Sequence, residues 1–570
     1  MAKPSVNTLQ ALLANSVATY GDKVAYTFGD EQQVTYNQLG EKAAQLRYYL
    51  HTNGIKRNDK VALISENMPN WGISYFALAS MGAIIVPVLV DFSAAEMKTV
   101  LHHAEINGLI ASEKVLKKLQ NGHVPLPNLV ISIHDFTNVK SGESIQDVWT
   151  AAGEQATAWT PETVDPEDLA CIIYTSGTTG RSKGVMLTNN NLIWDADTCR
   201  TLYPVAEDDV SLSVLPLAHT YECTLGLILG TMNGSITHYI DKAPTANVLM
   251  PLFRKHRPTM MLTVPLIIEK IFKAGVKSKF TKSPLIRFIY GIRPFQYLLH
   301  KVAGKKLKRI FGGHLRFFGI GGAAVSPEVE RFLRDAKFPY SCGYGLTETS
   351  PMLCGLAVGK TKYRSVGPTM VGIEYKLIDV NPHTGEGELV VKGPNVMKGY
   401  FKEPDATAAV LSPDGWFKTG DLAVVDKKGN VSLKGRSKNM ILGASGENIY
   451  PEEIEAVINE MDSVVESVVY QHKGRLVASV YLNAEEFAKR YHDLLSSAQN
   501  YQDELKQRMD AYLKELKVKV NQLVSRHSQL NDVELRQEPF EKTATMKIKR
   551  FLINNDKQSG TNQKPDTKLS

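Results

Sequence analysis

Through about residue 240, short apolar runs rich in β-branched residues alternate with stretches whose apolar positions recur every three to four residues. Val61–Ser65, Gly82–Val88, Gly108–Ile110 and Leu129–Ile133 read as strands, and their alternation with helical patterns predicts α/β layers with parallel strands. Trp71 to Val90 carries no charge over twenty residues, the length of a membrane span. Gly72, Gly82 and Pro87 interrupt it, so it is expected to divide into a buried helix, Trp71–Met81, and a buried strand, Ala83–Val88, leaving no transmembrane segment.

After Tyr344 the pattern changes to short strands with glycine-rich turns, Glu374–Asp379, Gly387–Lys392 and Val431–Leu433, which predicts a small β-rich subdomain. A boundary is expected near Gly435 to Lys438. Beyond it Pro451 opens a helix with Glu452, Glu453 and Glu455 in its first turns, where proline and acids suit a helix start. Val464–Val469 and Leu476–Leu482 read as strands, Ala484–Ser497 and Gln502–His527 as charged, solvated helices, and Lys557–Ser570 as a disordered polar tail.

The chain has 570 residues, too many for one ordinary core, so at least two domains are expected. A hydrophobic share of 43% and a charged share of 22% exclude a mostly disordered chain and a multi-span membrane protein. Five scattered cysteines form no CxxC pair, and the N-terminus lacks a basic end followed by an apolar run, so the expected compartment is the cytoplasm. The net charge of +7 is modest and does not point to nucleic acid.

The densest chemical signal is Tyr174-Thr-Ser-Gly-Thr-Thr-Gly-Arg-Ser-Lys-Gly184, after the strand-like run Leu169–Ile173. Small residues let backbone N–H groups approach phosphate oxygens, Thr175, Ser176, Thr178 and Thr179 offer hydroxyl donors, and Lys183 brings positive charge. The spacing from Gly177 is not that of a Walker A loop, because Ser182 stands where that loop has its second glycine. Gly319-Ile-Gly-Gly-Ala-Ala324 satisfies the G-x-G-x-x-A dinucleotide pattern, which alone would suggest an NAD-dependent oxidoreductase with Asp335 as the nearest ribose acid.

The ordered set of motifs resembles the AMP-forming acyl-CoA synthetases, firefly luciferases and nonribosomal peptide adenylation domains. Besides the loop, it includes Leu215-Pro-Leu-Ala-His-Thr-Tyr-Glu222, Gly321-Gly-Ala323, Tyr344-Gly-Leu-Thr-Glu-Thr349, Trp416-Phe-Lys-Thr-Gly-Asp421, Gly435-Arg-Ser-Lys438, Gly443 to Ile454, and Glu541 to Arg550. Overall similarity is greatest to bacterial long-chain fatty acid ligases, including Gly321-Gly-Ala-Ala-Val-Ser-Pro327. The resemblance spans Thr8 to Leu552 and implies a two-step ligase. A fatty acid is first adenylated with ATP and Mg2+, and the acyl group then passes to coenzyme A or, alternatively, to an acyl carrier protein.

The resemblance also assigns roles. Thr175, Ser176, Gly177, Thr178, Thr179, Gly180 and Lys183 would hold phosphates. Gly321, Gly322, Ala323, Tyr344 and Gly345 would flank adenine, and Asp421 and Arg436 would hold ribose. Thr347 and Lys547 would meet the α-phosphate, Glu348 the Mg2+, and His219 the acyl carboxylate. Lys438 would be the hinge between a large domain, 1–435, and a mobile α+β domain, 439–555, with 436–438 as the connection and 556–570 as tail. Gly446, Glu447 and Asn448 would line the coenzyme A channel. In the last motif Ala544 and Met546 replace the family's proline and glycine, while Lys547 is retained.

Residues 252–310 carry fifteen Lys/Arg against one acid, Glu269, with Phe272, Ile286, Phe288, Ile289, Tyr290, Phe295, Tyr297 and Leu298 interleaved. Such a surface suits peripheral contact with anionic lipid at the inner face of the membrane. The dispersed apolar residues expected to line an acyl tunnel give no ruler for chain length.

Overall fold

A computed structural model describes residues 6–29, 32–176, 182–242, 244–280, 283–443, 447–490, 501–543 and 547–553. Two seven-stranded sheets dominate. In the first, Tyr340–Cys342, Phe317–Ile320, Met260–Thr263, Val210–Ser213, Ile236–Tyr239 and Val24–Phe28 run parallel, and Gln32–Thr35 closes one edge antiparallel. In the second, Ile84–Pro87, Lys60–Ile64, Gly108–Ala111 and Leu129–Ser132 form a parallel half joined to Leu169–Ser176, while Ser182–Thr188 and Gly399–Tyr400 add antiparallel strands.

The uncharged run is core. Helix Pro69–Ser80 is buried on every residue, and strand Ile84–Pro87 follows it. The helix lies between the sheets, where a Cβ on Gly72 would stand 3.1 Å from both Leu227 and the Tyr26 ring, so any larger residue would have to push those side chains aside. Fully burying each large side chain, such as Trp71, Ile73 and Phe76, stabilises the fold by about 1.5–3 kcal/mol. Among the described residues no helix is long and apolar enough to cross a membrane.

The β-rich region is a four-stranded antiparallel sheet of Glu374–Ile378, Gly387–Lys392, Phe417–Val425 and Val431–Arg436. A separate apolar core follows, in which helix Pro451–Asn459 packs on a sheet of Val464–His472, Arg475–Leu482 and Asp532–Arg536. Helix Tyr501–Leu523 departs from the solvated reading, because Tyr512, Leu513, Leu516 and Val520 are buried in that core. Its charges occupy the other face of an amphipathic helix. Residues 491–500 and the tail expected at Lys557–Ser570 lie outside the described residues.

Candidate active site

The phosphate loop is more ordered at its base than its composition suggests. Leu169–Ser176 and Ser182–Thr188 pair antiparallel as a hairpin, with Thr175 opposite Lys183 and Tyr174 opposite Gly184. Gly177, Thr178, Thr179 and Gly180, at the tip, lie outside the described residues. Tyr174 is anchored by a 2.7 Å hydrogen bond between its hydroxyl and His103 Nδ1.

Lys183 Nζ lies 4.6 Å from the centroid of the Tyr400 ring. The Tyr400 hydroxyl donates to Glu348 Oε1 at 3.0 Å. Tyr400 is present because Gly399–Tyr400 pairs with Val185 and Met186 of the hairpin. Nothing in the sequence around Tyr400 distinguishes it from an ordinary strand aromatic. Burial, reinforced by the Glu348 charge, raises its hydroxyl pKa and keeps it a donor.

Glu348 sits in the single turn Thr347–Thr349. Just before it, a Cβ on Gly345 would fall 1.6 Å from the Pro351 carbonyl oxygen, so this backbone crossing requires glycine. Asn395 Nδ2 donates to the Thr349 and Met352 carbonyls at 2.9 and 2.7 Å and braces the segment from below. Thr347 Oγ1 is 3.5 Å from Thr220 Oγ1, which ties this turn to the one containing His219. His219 Nδ1 accepts the Tyr221 N–H at 3.2 Å, which places the ring proton on Nε2. Burial and the neighbouring Lys547 charge lower its pKa to about 4, so the ring is neutral at ordinary pH.

Tyr344 donates its hydroxyl to Asp421 Oδ2 at 2.5 Å, and Arg436 Nε meets Asp421 Oδ1 at 2.8 Å. Asp421 and Arg436 are cross-strand partners in adjacent antiparallel strands. Thr419 completes the set, giving Oγ1 to the Asp421 N–H at 3.1 Å and its carbonyl to Arg436 Nη1 at 3.2 Å. Burial raises the Asp421 pKa against the opposing pull of Arg436. Gly321 donates its N–H to the Thr263 carbonyl at 3.0 Å, and Gly322 and Ala323 are exposed.

Lys547 enters from the second core. The Thr543 and Lys547 backbones close a turn, with N–H to carbonyl at 2.8 Å, around residues 544–546, which lie outside the described residues. Both flanks are tied to buried carboxylates. Glu466 accepts the Phe540 N–H at 2.8 Å and pairs with Lys542, while Glu455 pairs with Arg550 and accepts the Val469 N–H at 2.6 Å. Lys547 carries exposed surface, but neighbouring protein partly desolvates its ammonium. That desolvation, then Arg436, lowers its pKa, and Asp421 and Glu348 oppose the shift. The structure thus gathers His219, Thr347, Glu348, Tyr344, Asp421, Arg436 and Lys547 around one cleft.

Lys438 is exposed in the turn Ser437–Asn439, immediately after Arg436 and its strand. Asn448 pairs in a short hairpin with Leu442, and Glu447 closes it through its carbonyl to the Gly443 N–H. Gly446 lies outside the described residues, and among those described no hydrogen bond or ion pair joins Glu447 or Asn448 to the Lys547 cluster.

The dinucleotide reading meets a direct obstacle. Asp335 is buried and engaged, pairing with Arg293 at 2.8 and 3.0 Å and with His300 Nδ1 at 2.8 Å. It has no free face for a ribose. Gly319 instead borders an apolar cavity whose wall also includes Tyr221, Leu225 and Leu262. A Cβ on Gly321 would lie 3.2 Å from the Tyr221 ring, so the cavity's wall begins beside His219 and Thr220.

The chain is similar to known proteins along most of its length. The long chain acyl-CoA synthetase 7, peroxisomal, of Arabidopsis thaliana is 28% identical over 529 residues, covering 85% of this chain and 74% of its own. The long-chain-fatty-acid–CoA ligase of Bacillus subtilis (strain 168) is 28% identical over 504 residues, 81% of this chain and 82% of its own. The fold matches that of an ATP-bound RpMatB-BxBclM chimera with a TM-score of 0.75 at 24% identity, covering 96% of this chain and 98% of that one. The AMP-binding enzyme family matches residues 13–401, well over half the length and all of the cleft up to Tyr400, and the chain belongs to that family.

Proposed function

We propose that this enzyme adenylates a medium- to long-chain fatty acid with ATP and then transfers the acyl group to coenzyme A. The observation that carries the reading is the apolar cavity that adjoins, through Tyr221, a cleft lined by Lys547, Arg436 and Lys183. A hydrocarbon tail and an anionic head have separate, adjoining places. The names of the two relatives above, an acyl-CoA synthetase and a fatty-acid–CoA ligase, support the same substrate class and acceptor.

In the first step a carboxylate oxygen attacks the α-phosphorus, the new P–O bond forms, and the bond to the β-phosphate oxygen breaks with pyrophosphate leaving. Holding two anions in line is the main task. Thr175, Ser176, Lys183 and the hairpin tip would take the phosphates, and Tyr344, Gly345 and Gly321–Ala323 would flank adenine. Asp421 would accept from ribose hydroxyls with Arg436 beside it. Neutral His219 would sit at the carboxylate, where it adds no competing charge. Lys547 and Thr347 would meet the charge on the α-phosphate.

A single carboxylate fits Mg2+, which keeps water and phosphate ligands, and Glu348 has one oxygen not used by Tyr400. Bound there, the ion would neutralise phosphate charge. In the second step a coenzyme A thiol attacks the acyl carbon, the C–S bond forms, AMP leaves with the C–O electrons, and the thiol proton passes to solvent. Gly446, Glu447 and Asn448 would line the thiol's approach. That arrangement requires residues 439–555 to rotate about 436–438 against residues 1–435, with Lys438 as pivot.

The test is pyrophosphate release across a panel of acids, with coenzyme A or an acyl carrier protein as acceptor. Fatty-acid-dependent release followed by coenzyme A thioester is expected. Release with another acid class alone, or thioester only on the carrier protein, would overturn the substrate or the acceptor.

The membrane reading narrows to one helical pair. Phe272 is buried against Phe332, with ring centroids 4.9 Å apart, and so leaves the surface set. Leu285, Phe288, Phe295, Leu298 and Val302, on helices Pro284–Gly291 and Arg293–Ile310, are 52–70% exposed. Lys301, Lys305, Lys306 and Lys308 follow on the second helix. Apolar side chains beside lysines support peripheral docking on anionic lipid, each nearby basic residue contributing about 1 kcal/mol. Co-sedimentation with phosphatidylserine vesicles that weakens at high salt is expected, and no binding at low salt would remove the reading.

A further inference from the structure

The cavity has a floor, and the floor is polar. Strands Met260–Thr263 and Phe317–Ile320 run parallel with Met260 opposite Phe317 and Leu262 opposite Gly319, and all four residues line the cavity. It therefore extends along the strands, with Tyr221 and Gly319 toward the cleft and Met260 and Phe317 toward the strand beginnings. There the Tyr203 ring stacks on Phe317, with centroids 5.0 Å apart and planes inclined 26°.

The residue just before each of three neighbouring strands is polar: Asp209 before Val210, Thr259 before Met260 and Arg316 before Phe317. Asp209 is fully buried and gathers them. It accepts from Tyr203 Oη at 2.8 and 3.0 Å, Arg316 Nη2 at 2.7 Å, the Ala206 N–H at 2.9 Å and the Thr259 hydroxyl at 2.5 Å. A hydrocarbon pushed past this layer would have to break charge-assisted hydrogen bonds and offer nothing in return. Tyr203 is both part of that network and part of the cavity wall.

We infer that Tyr203, held in place by Asp209, closes the far end of the acyl cavity and sets the longest chain this enzyme activates. The inference rests on the fatty-acid reading above and supplies the length ruler that the sequence lacks. Tyr203 is a specificity-determining residue, and Asp209 positions it. Burial and the Asp209 charge raise the Tyr203 pKa, so its hydroxyl remains a donor across the working pH range.

The test is kcat/KM for pyrophosphate release over a homologous series of saturated acids that brackets the wild-type cutoff. The quantity read is the ratio for an acid a few methylenes beyond the cutoff to the best wild-type acid, which is independent of the folded fraction. Tyr203→Ala should raise that ratio about tenfold or more. Tyr203→Phe, which keeps the ring but loses the tether, should raise it less. Leu225→Ala, which widens the side wall and leaves the floor intact, should lower kcat/KM without moving the cutoff. An unmoved ratio in Tyr203→Ala, or an equal shift in Leu225→Ala, overturns the inference while leaving the fatty-acid reading standing. A wild-type enzyme that releases pyrophosphate with no fatty acid overturns that reading, and the ruler with it.

Discussion

Asp421 and Arg436 face each other across adjacent strands of one sheet, whereas Lys547 reaches the same cleft from a turn supported by a different apolar core. The first pair is fixed by backbone register and by Thr419, so its geometry can change only if the sheet does. The lysine is fixed by side-chain ties to Glu455 and Glu466, both on its own core. Its link to the cleft is electrostatic, through Asp421, Glu348 and Arg436. One charge is built into the sheet, and the other, under the proposed rotation about 436–438, would be brought to the site for one half-reaction and withdrawn for the next.

The largest expected effect removes the Lys547 charge. Lys547→Ala should slow pyrophosphate release by ~10²-fold or more, while a supplied acyl-adenylate still reacts with coenzyme A. A normal adenylation rate would end this assignment. Because the Lys547 pKa is lowered in the fold, activity that needs the ammonium should fall with rising pH before an ordinary lysine would titrate. Lys547→Arg should move that alkaline limb upward, and a pH–rate profile in both proteins checks it.

Next comes the connection between the two regions. Lys438→Pro should leave acyl-adenylate formation near normal and reduce thioester formation about tenfold or more, and quenched single-turnover assays separate the steps. Equal loss of both steps would mean that the turn Ser437–Asn439 is not a pivot. A smaller effect is expected from the lysine's supports. Glu455→Gln keeps an acceptor for the Val469 N–H but releases Arg550, and should cost roughly tenfold in adenylation alone.

The smallest effect concerns stability in the fixed region. Glu222 is buried behind Tyr221, with Oε2 unpartnered, and burial raises its pKa from 4.5 to about 8. The folded state thus holds a proton that the unfolded state releases between those values, and stability falls as pH rises through that window. Glu222→Gln should raise the unfolding midpoint at pH 8.5 by about 2 °C or more and change it little at pH 5. Equal effects at both pH values would show that the carboxyl does not titrate there.

Much of the fold was legible because its signals are local. The buried helix Pro69–Ser80 and strand Ile84–Pro87 follow from an apolar run broken by Gly82, and the proline at 451 marks a helix start where one occurs. The helix Tyr501–Leu523 was misread because its charges outnumber the apolar stripe that packs inward. At the site, Tyr344, Glu348, Asp421 and Lys547 stand out as motif residues, but Tyr400, Glu466 and Asp209 do not. Each of these acts through a partner distant in sequence, as Tyr400 does with Glu348 and Asp209 with Arg316, and no local pattern encodes such pairings.

The five cysteines offer a further use of this architecture. All are unpaired, four are buried, and all precede residue 355, so the core built from helix Pro451–Asn459 onward contains none. A thiol-alkylating reagent therefore records the opening of the nucleotide-binding layers and is blind to unfolding of the lysine-bearing region. Cys171, in the second sheet, and Cys354, in a separate two-stranded pair, can be distinguished by peptide mass, which turns the protein's own sulfur into a clock for which layer loosens first.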